Sequence, residues 1–202
     1  MRVEVAAEIR RKSIHMIPGF LAIPVVVWLG NPYATLIAAF FLALYTLNEV
    51  SLRLGLNWRI PIAWHTYRFM ARREELEKRY FTGTVYFWAV TTAVVLLLEP
   101  RLAAAAVMIS SFGDASAAIV GKALGGPRVP PRNKTLTGFA AMFLASLASA
   151  LLCGVRFEAS LLASLLAALA ELFTPVSTLD ELTVPAVAAT VLQLTAGQLL
   201  RP

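Results

Sequence analysis

The chain has 202 residues, of which 58% are hydrophobic and 15% are charged. A water-soluble domain of this length has too few interior positions to bury so much apolar surface, so the composition excludes a soluble class and predicts one integral membrane domain over residues 1–202. The net charge of +6 does not indicate a nucleic-acid partner, because the cations stand at the ends of apolar runs. The single cysteine, Cys153, excludes an internal disulfide.

Apolar runs of helical length follow one another along the chain, at residues 14–30, 33–52, 82–98, 101–121, 136–154, 157–173 and 184–200. A membrane-spanning helix needs about 20 residues, and its backbone polar groups must be paired within the segment. The predicted fold is therefore an all-α polytopic membrane bundle of about seven transmembrane helices. The "RRK" before the first run is typical of a signal peptide, but no convincing cleavage site follows, so this run is interpreted as a retained span.

The positions of Lys and Arg predict the orientation of the bundle. With the N-terminus in the cytoplasm, the inner segments hold fifteen of the eighteen cations, and the outer segments hold only Arg101, Arg156 and Arg201. Such an asymmetry orients membrane proteins with their basic loops inside the cell. The outer turns are short and the inner loops are long, so chemistry is expected at the cytoplasmic face of the cell membrane.

The longest inner segment, residues 56–80, predicts a cytoplasmic interfacial helix. Glu74 and Lys78 stand four residues apart, as do Glu75 and Arg79, which suits an exposed helix surface. The aromatic residues of this segment suit the headgroup region of a bilayer. Two interpretations stay open, a solvated interfacial helix and a gate for a lipid substrate.

Acidic residues at membrane depth are the strongest indication of chemistry, because burying one costs roughly 2.5–3.5 kcal/mol on insertion scales. Asp114 lies seven residues before Gly121 in the fourth run, about 10 Å from its inner end. The predicted topology brings further acids and cations to the same face, namely Glu49, Glu171, Asp180, Glu181, Arg11, Lys12, His15 and Lys134.

Carboxylates beside cations suit phosphoryl or nucleotidyl transfer, because carboxylates hold Mg²⁺ and Lys and Arg hold phosphate oxygens. The basic loop after Asp114 contains Lys122, Arg128, Arg132 and Lys134, and glycines at 113, 121, 125 and 126 would let the backbone approach a ligand. Simpler interpretations stay open for some positions. Glu49 has Arg53 four residues later and suits a paired helix end, while Thr135 and Gly138 suit a helix start.

A Walker A loop is excluded. That motif needs four residues between its glycine and the Gly-Lys pair, followed by Ser or Thr. Here seven residues separate Gly113 from Gly121, and Ala123 follows Lys122. The spacing does not identify a nucleotide.

The stretches "GDASAAIVGKALG" (113–125) and "NKTLTG" (133–138) resemble the signature of the CTP-dependent membrane lipid kinases, such as dolichol kinase, phytol kinase and polyprenol kinase. This kinase family is related to the CDP-diacylglycerol synthases. "RRKSIH" (10–15) and "AELFTPVSTLDELTVP" (170–185) resemble two flanking elements of the kinase branch, and "NEVSLR" (48–53) and "GTVYF" (83–87) also fit. The similarity covers almost the whole chain. One departure is Glu181, where the family tends to have Asn.

This resemblance implies that an isoprenoid alcohol is phosphorylated by CTP with Mg²⁺, giving a lipid monophosphate and CDP. It implies that Asp114 binds the metal, helped by Asp180 or Glu171, and that Arg11, Lys12 and His15 lie near the reacting phosphate. Either His15 or a carboxylate would take the hydroxyl proton. The nucleotide would be held by Gly113, Gly121, Lys122, Arg128, Arg132, Lys134, Thr135 and Gly138. Further candidate site residues are Asn48, Glu49 and Glu181.

Two other functions are weighed against this one. A cytidylyltransferase, which makes a CDP-lipid from a lipid phosphate, needs the same metal and the same triphosphate site, and only the flanking elements favour the kinase. A transporter or channel would place acids at several depths. The outer half of this chain is almost wholly apolar and no inverted repeat is recognisable, which argues against transport.

Overall fold

The computed structural model describes residues 2–56 and 58–199, and most of these residues are helical. The predicted all-α class is confirmed. Arg201, which the sequence assigns to the outer side, lies outside the described residues. The α-helices are α1 (Arg2–His15), α2 (Ile17–Ala22), α3 (Asn31–Arg53), α4 (Ala63–Met70), α5 (Arg73–Glu77), α6 (Thr82–Leu97), α7 (Pro100–Met108), α8 (Asp114–Leu124), α9 (Leu136–Leu152), α10 (Phe157–Phe173) and α11 (Asp180–Leu199).

The helical segment that contains the first apolar run begins at Arg2, well before residue 14, where that run starts. α1 already covers the basic "RRK", and α2 continues it into a π-helical segment, Ile23–Trp28. Pro18 and Pro24 explain these interruptions, because proline has no N–H to donate to the preceding turn. Near the second proline, the Leu29 N–H donates to the Pro24 carbonyl at 3.3 Å. This hydrogen bond reaches back five residues instead of four, which makes the turn wider than an α-helical turn.

The centre of the fold is the helix Pro100–Leu124, which consists of α7, a π-helical turn at Ile109–Gly113 and α8. Ala103 to Ala106 are fully buried, because their small side chains let neighbouring helices approach closely. The π turn contains one residue more than an α turn, which rotates the side chains that follow by about 100° around the axis. Asp114 is the first residue after that turn.

Two helices, Asn31–Arg53 and Pro100–Leu124, are long and apolar enough to cross a membrane. Thr82–Leu97 and Leu136–Leu152 are apolar but shorter. Two of the seven predicted spans therefore meet the criteria of length and composition in the part of the chain described.

The predicted interfacial helix is in fact two short helices, α4 and α5, separated by the extended residues Ala71 and Arg72. The expected pair of Glu74 with Lys78 is present at 2.9 Å. The expected pair of Glu75 with Arg79 is wrong, because Glu75 is buried and its carboxylate accepts the Arg72 backbone N–H at 2.6 Å. This acceptor fixes the start of α5.

Aromatic side chains attach α4 to the helices beneath it. Phe41 of α3 stacks on Trp88 of α6 with ring centroids 4.6 Å apart. The Tyr45 hydroxyl of α3 lies 2.9 Å from Thr66 Oγ1 of α4, and Tyr67 packs edge-on against Phe81. The α4–α5 segment is thus packed against α3 and α6.

The basic loop between α8 and α9 contains a small antiparallel hairpin that the sequence did not predict. Its strands are β1 (Arg128–Val129) and β2 (Lys134–Thr135), with Val129 opposite Lys134. Thr135 precedes α9, and its hydroxyl accepts the Gly138 N–H at 3.1 Å, as its interpretation as a helix-start residue requires.

α11 begins four residues before the predicted span, so Asp180 and Glu181 lie in its first turn.

Candidate active site

The end of α1 meets the start of α8 at an ion pair. Lys12 is buried, with 1% of its surface exposed, and its ammonium contacts Asp114 Oδ2. His15 follows one turn later on the same face of the helix. Its Nε2 lies 3.4 Å from Asp114 Oδ2 and 3.6 Å from Glu181 Oε2, and this buried nitrogen has no hydrogen-bond partner among the described residues. Lys12, His15, Asp114 and Glu181 therefore form one cluster.

The hairpin carries two cations to the acids of α10 and α11. Arg132 Nη1 lies 2.6 Å from Asp180 Oδ2, and Lys134 Nζ lies 3.0 Å from the same oxygen. Lys134 Nζ also lies 2.7 Å from Glu171 Oε1. These contacts hold the basic loop against the end of α10 and the start of α11. They also reduce the desolvation cost of the two buried carboxylates.

Asp114 links the two groups of acids. Ligand atoms of Asp114, Glu171 and Asp180 lie within 4.8 Å of one another, and so do those of Asp114, His15 and Glu181. The first group offers only carboxylate oxygens, which Mg²⁺ prefers, and Asp180 Oδ1 is buried without a partner among the described residues. The donor set of Asp114, Glu171 and Asp180 therefore fits Mg²⁺ better than the set containing His15.

A polar cavity of about 830 Å³ opens beside these acids. All four cations of the basic loop line it, and Arg128 has no ion-pair partner in the part of the chain that the structure describes. The volume and the charge suit a polyphosphate with an attached nucleoside. The predicted site residues that line it are Arg11, Asp114, Gly121, Lys122, Arg128, Arg132, Lys134, Thr135, Gly138, Glu171 and Asp180.

Glu8 belongs to this cavity and is missing from the sequence-predicted set. Its Oε2 lies 2.5 Å from Lys122 Nζ, and its Oε1 accepts Arg11 Nε at 3.1 Å. Burial by itself raises the pKa of Glu8, but the charge of Arg11 and the hydrogen bond from Lys122 outweigh burial and hold that pKa at about 2. One carboxylate thus neutralises two of the cations expected to bind phosphate.

Three glycines of the motif, at positions 113, 121 and 138, allow close helix packing. Gly121, Gly125 and Gly138 also line the polar cavity, and the approach of their backbone to a ligand stays a prediction. A Cβ at Gly138 would lie 2.9 Å from the Ala117 carbonyl oxygen, and one at Gly121 would lie 2.7 Å from Thr135 Oγ1. These glycines let α8 and α9 approach at the cavity wall. A Cβ at Gly113 would lie 2.5 Å from Ser146 Oγ, so this glycine also serves helix contact and does not line the polar cavity.

Asn48 and Glu49 lie apart from both acid groups. Glu49 Oε1 pairs with Arg53 Nε at 2.7 Å, as its helix-end interpretation predicts, and Oε2 accepts the Phe81 N–H at 2.5 Å. Glu49 therefore anchors the start of α6. Asn48 is buried with both amide atoms lacking a partner among the described residues, and it lines neither cavity described here.

A second, apolar cavity of about 270 Å³ adjoins the first. Its walls come from α2, α3 and α6, and its polar end contains His15 and Glu181. Arg11 and Arg72 line both cavities, so they mark the junction. His15 faces this apolar cavity and does not line the polar one.

Sequence reasoning did not select Glu8 or Arg72. Both stand in charge-rich helical segments, where charges are usually solvated, and no local spacing distinguishes them. Their contacts with the cavity arise from packing between distant parts of the chain. Comparison of the chain with protein-family models, with curated proteins and with solved structures finds no match.

Proposed function

We propose that the protein is an integral membrane kinase that uses CTP to phosphorylate an isoprenoid alcohol of the polyprenol, dolichol or phytol type. One observation carries the proposal: a cation-lined polar cavity and an apolar cavity meet beside His15, Asp114 and Glu181. A phosphoryl donor and an apolar acceptor need this combination of adjoining sites. The sequence resemblance supports CTP as the donor.

The polar cavity would bind the triphosphate. Lys122, Arg128, Arg132 and Lys134 would contact its oxygens, and the glycine-packed start of α9 would form the wall. Mg²⁺ would be held by Asp114, Glu171 and Asp180 and would neutralise charge on the phosphate oxygens. Positioning and charge neutralisation provide most of the catalysis in this reaction class.

The apolar cavity would bind the first part of the lipid chain, with its hydroxyl at the polar end. The alcohol oxygen forms a bond to the γ-phosphorus, and the bond from that phosphorus to the β–γ bridging oxygen breaks. The electron pair of the broken bond stays on CDP, and the hydroxyl proton passes to His15 Nε2. The unpartnered state of that nitrogen and its position on the apolar cavity support this role.

The membrane arrangement proposed is about seven spans with a cytoplasmic N-terminus and the site at the cytoplasmic face. The asymmetry of Lys and Arg supports the orientation. Large exposed apolar side chains on α2, α3 and α9, among them Phe20, Leu36 and Leu144, support contact with lipid. The shorter helices would cross by tilt or by local thinning of the bilayer.

The test is a product assay on purified protein in detergent with Mg²⁺, CTP and a polyprenol. Formation of CDP and a lipid monophosphate is the expected result. Pyrophosphate and a CDP-lipid, formed when a lipid phosphate replaces the alcohol, would assign the protein to the cytidylyltransferase class and remove the hydroxyl-activating role of His15. The same assay with ATP in place of CTP tests which nucleotide is the phosphoryl donor.

A further inference from the structure

The loop between α4 and α5 places one arginine at the junction of the two cavities. Arg72 lines both cavities, and Arg11 is the other described residue that does so. Arg11 is already paired with Glu8. Within the described residues, no carboxylate lies within ion-pair distance of the partly buried Arg72 guanidinium.

The backbone at Arg72 is held firmly in place. Its N–H donates to Glu75 Oε2 at 2.6 Å, and Glu75 is itself buried. The Tyr67 hydroxyl donates to the Glu75 carbonyl at 3.2 Å, which ties α5 to α4. Because α4 packs on α3 and α6 through its aromatic residues, the position of Arg72 is set by the bundle.

A partly buried guanidinium without a carboxylate partner suits an oxyanion that arrives with the substrate. Arg132 and Lys134 of the basic loop lie next to Asp180 and Glu171, and neither of them lines the apolar cavity. Arg72 instead lies where the polar cavity opens to the apolar one, which is where a phosphate attached to a lipid would lie.

We propose that Arg72 binds the phosphoryl group that is transferred, contacting its oxygens as it passes to the lipid alcohol and in the lipid monophosphate product. This inference rests on the proposed function and extends the active site to the α4–α5 loop. The guanidinium stabilises the negative charge on the equatorial oxygens of the phosphoryl group. It takes no proton and forms no covalent bond.

The experiment compares Arg72→Gln and Arg72→Lys with Arg73→Gln. Arg73 is a matched control, because it is the next residue and its 93%-exposed side chain pairs with Glu77 in α5. Equilibrium binding of farnesol and of farnesyl monophosphate to each purified protein is measured in detergent, alongside turnover of CTP and a polyprenol. The two lipid probes differ only in the phosphate.

Arg72→Gln is expected to weaken binding of farnesyl monophosphate about tenfold and to change binding of farnesol less than about threefold. Turnover at saturating CTP is expected to fall roughly 100-fold, and Arg72→Lys to lie between Gln and wild type. Arg73→Gln should match wild type in every measurement.

Equal behaviour of Arg72→Gln and Arg73→Gln would overturn the assignment while leaving the kinase function intact. Failure of the proposed function is recognised separately, when wild-type protein forms no CDP from CTP and a polyprenol. If wild-type protein formed no CDP while its binding of farnesyl monophosphate still depended on Arg72, the role of Arg72 in phosphoryl transfer would be overturned, because Arg72 would then bind a lipid phosphate without any transfer to an alcohol.

Discussion

Lys12 and Asp114 are 102 positions apart in the chain, and the Lys12 ammonium contacts the Asp114 carboxylate where α1 meets α8. Both residues are buried, with 1% and 9% of their surfaces exposed. Pairing offsets part of the cost of burying either charge. The contact also orients one Asp114 oxygen, which brings the acid into the cluster with His15 and Glu181.

Asp114→Asn should abolish most activity, with turnover reduced by about 1000-fold. The amide preserves the shape of the carboxylate but removes its charge, which weakens any Mg²⁺ bound with Glu171 and Asp180. The measurement is CDP formation as a function of Mg²⁺ concentration, with Glu158→Gln as the control, because Glu158 is largely exposed at the start of α10. Turnover close to wild type would remove Asp114 from the proposed metal site.

His15→Asn should lower kcat by about 100-fold or more, with the KM for CTP changed less than about threefold. His15 faces the apolar cavity and not the cation-lined one, so its loss affects proton removal from the alcohol and not nucleotide binding. His65→Asn is the matched control, because His65 is exposed on α4. A large rise in KM for CTP at unchanged kcat would contradict the role in proton transfer.

Glu8→Gln tests a pH-dependent contribution to stability. The folded-state pKa of Glu8 is depressed from 4.5 to about 2, so its stabilising contribution is complete above pH 4.5 and is lost as pH falls towards 2. The apparent melting temperature of wild-type protein in detergent should therefore exceed that of Glu8→Gln at pH 7, and the two should converge below pH 4.5. A difference that stayed constant from pH 7 to pH 3 would show that the carboxylate charge is not its source.

Gly138→Ala should destabilise the bundle by about 1–3 kcal/mol, because the new Cβ would lie 2.9 Å from the Ala117 backbone oxygen and force α8 and α9 apart. Gly83→Ala is the control, since a Cβ there meets its nearest atom, Glu181 Cγ, at an ordinary 3.5 Å. Thermal unfolding of both variants checks the prediction. Equal melting temperatures would mean that the helices separate at little cost.

Local sequence patterns predicted most of the helices well. The run at 157–173 coincides with α10, and the run at 33–52 lies within α3. Boundaries shifted where polar residues continue a helix, as at Asp180, because charged side chains at a helix end keep the backbone helical while lowering local hydropathy. The break between α4 and α5 was missed, since it depends on the buried position of Glu75.

The residue types at the site were also foreseeable. Hydropathy singles out Asp114, because an acid in an apolar run is costly, and the resemblance points to His15, Lys134 and Asp180. What each glycine does was not foreseeable. Gly138 lines the polar cavity and also lets α8 and α9 approach, whereas Gly113 packs against Ser146 and does not line that cavity, and only the tertiary structure shows this difference.

The sequence by itself determined the all-helical class, the apolar character of the chain and the acids and cations available for chemistry, since these follow from composition and from patterns within a few turns. The tertiary structure decided which of them meet. Glu8 pairs with Lys122 across 114 positions, and Arg132 reaches Asp180 across 48. Such pairs depend on how whole helices pack, and packing is the sum of many side-chain contacts along each helix, so no local pattern specifies it.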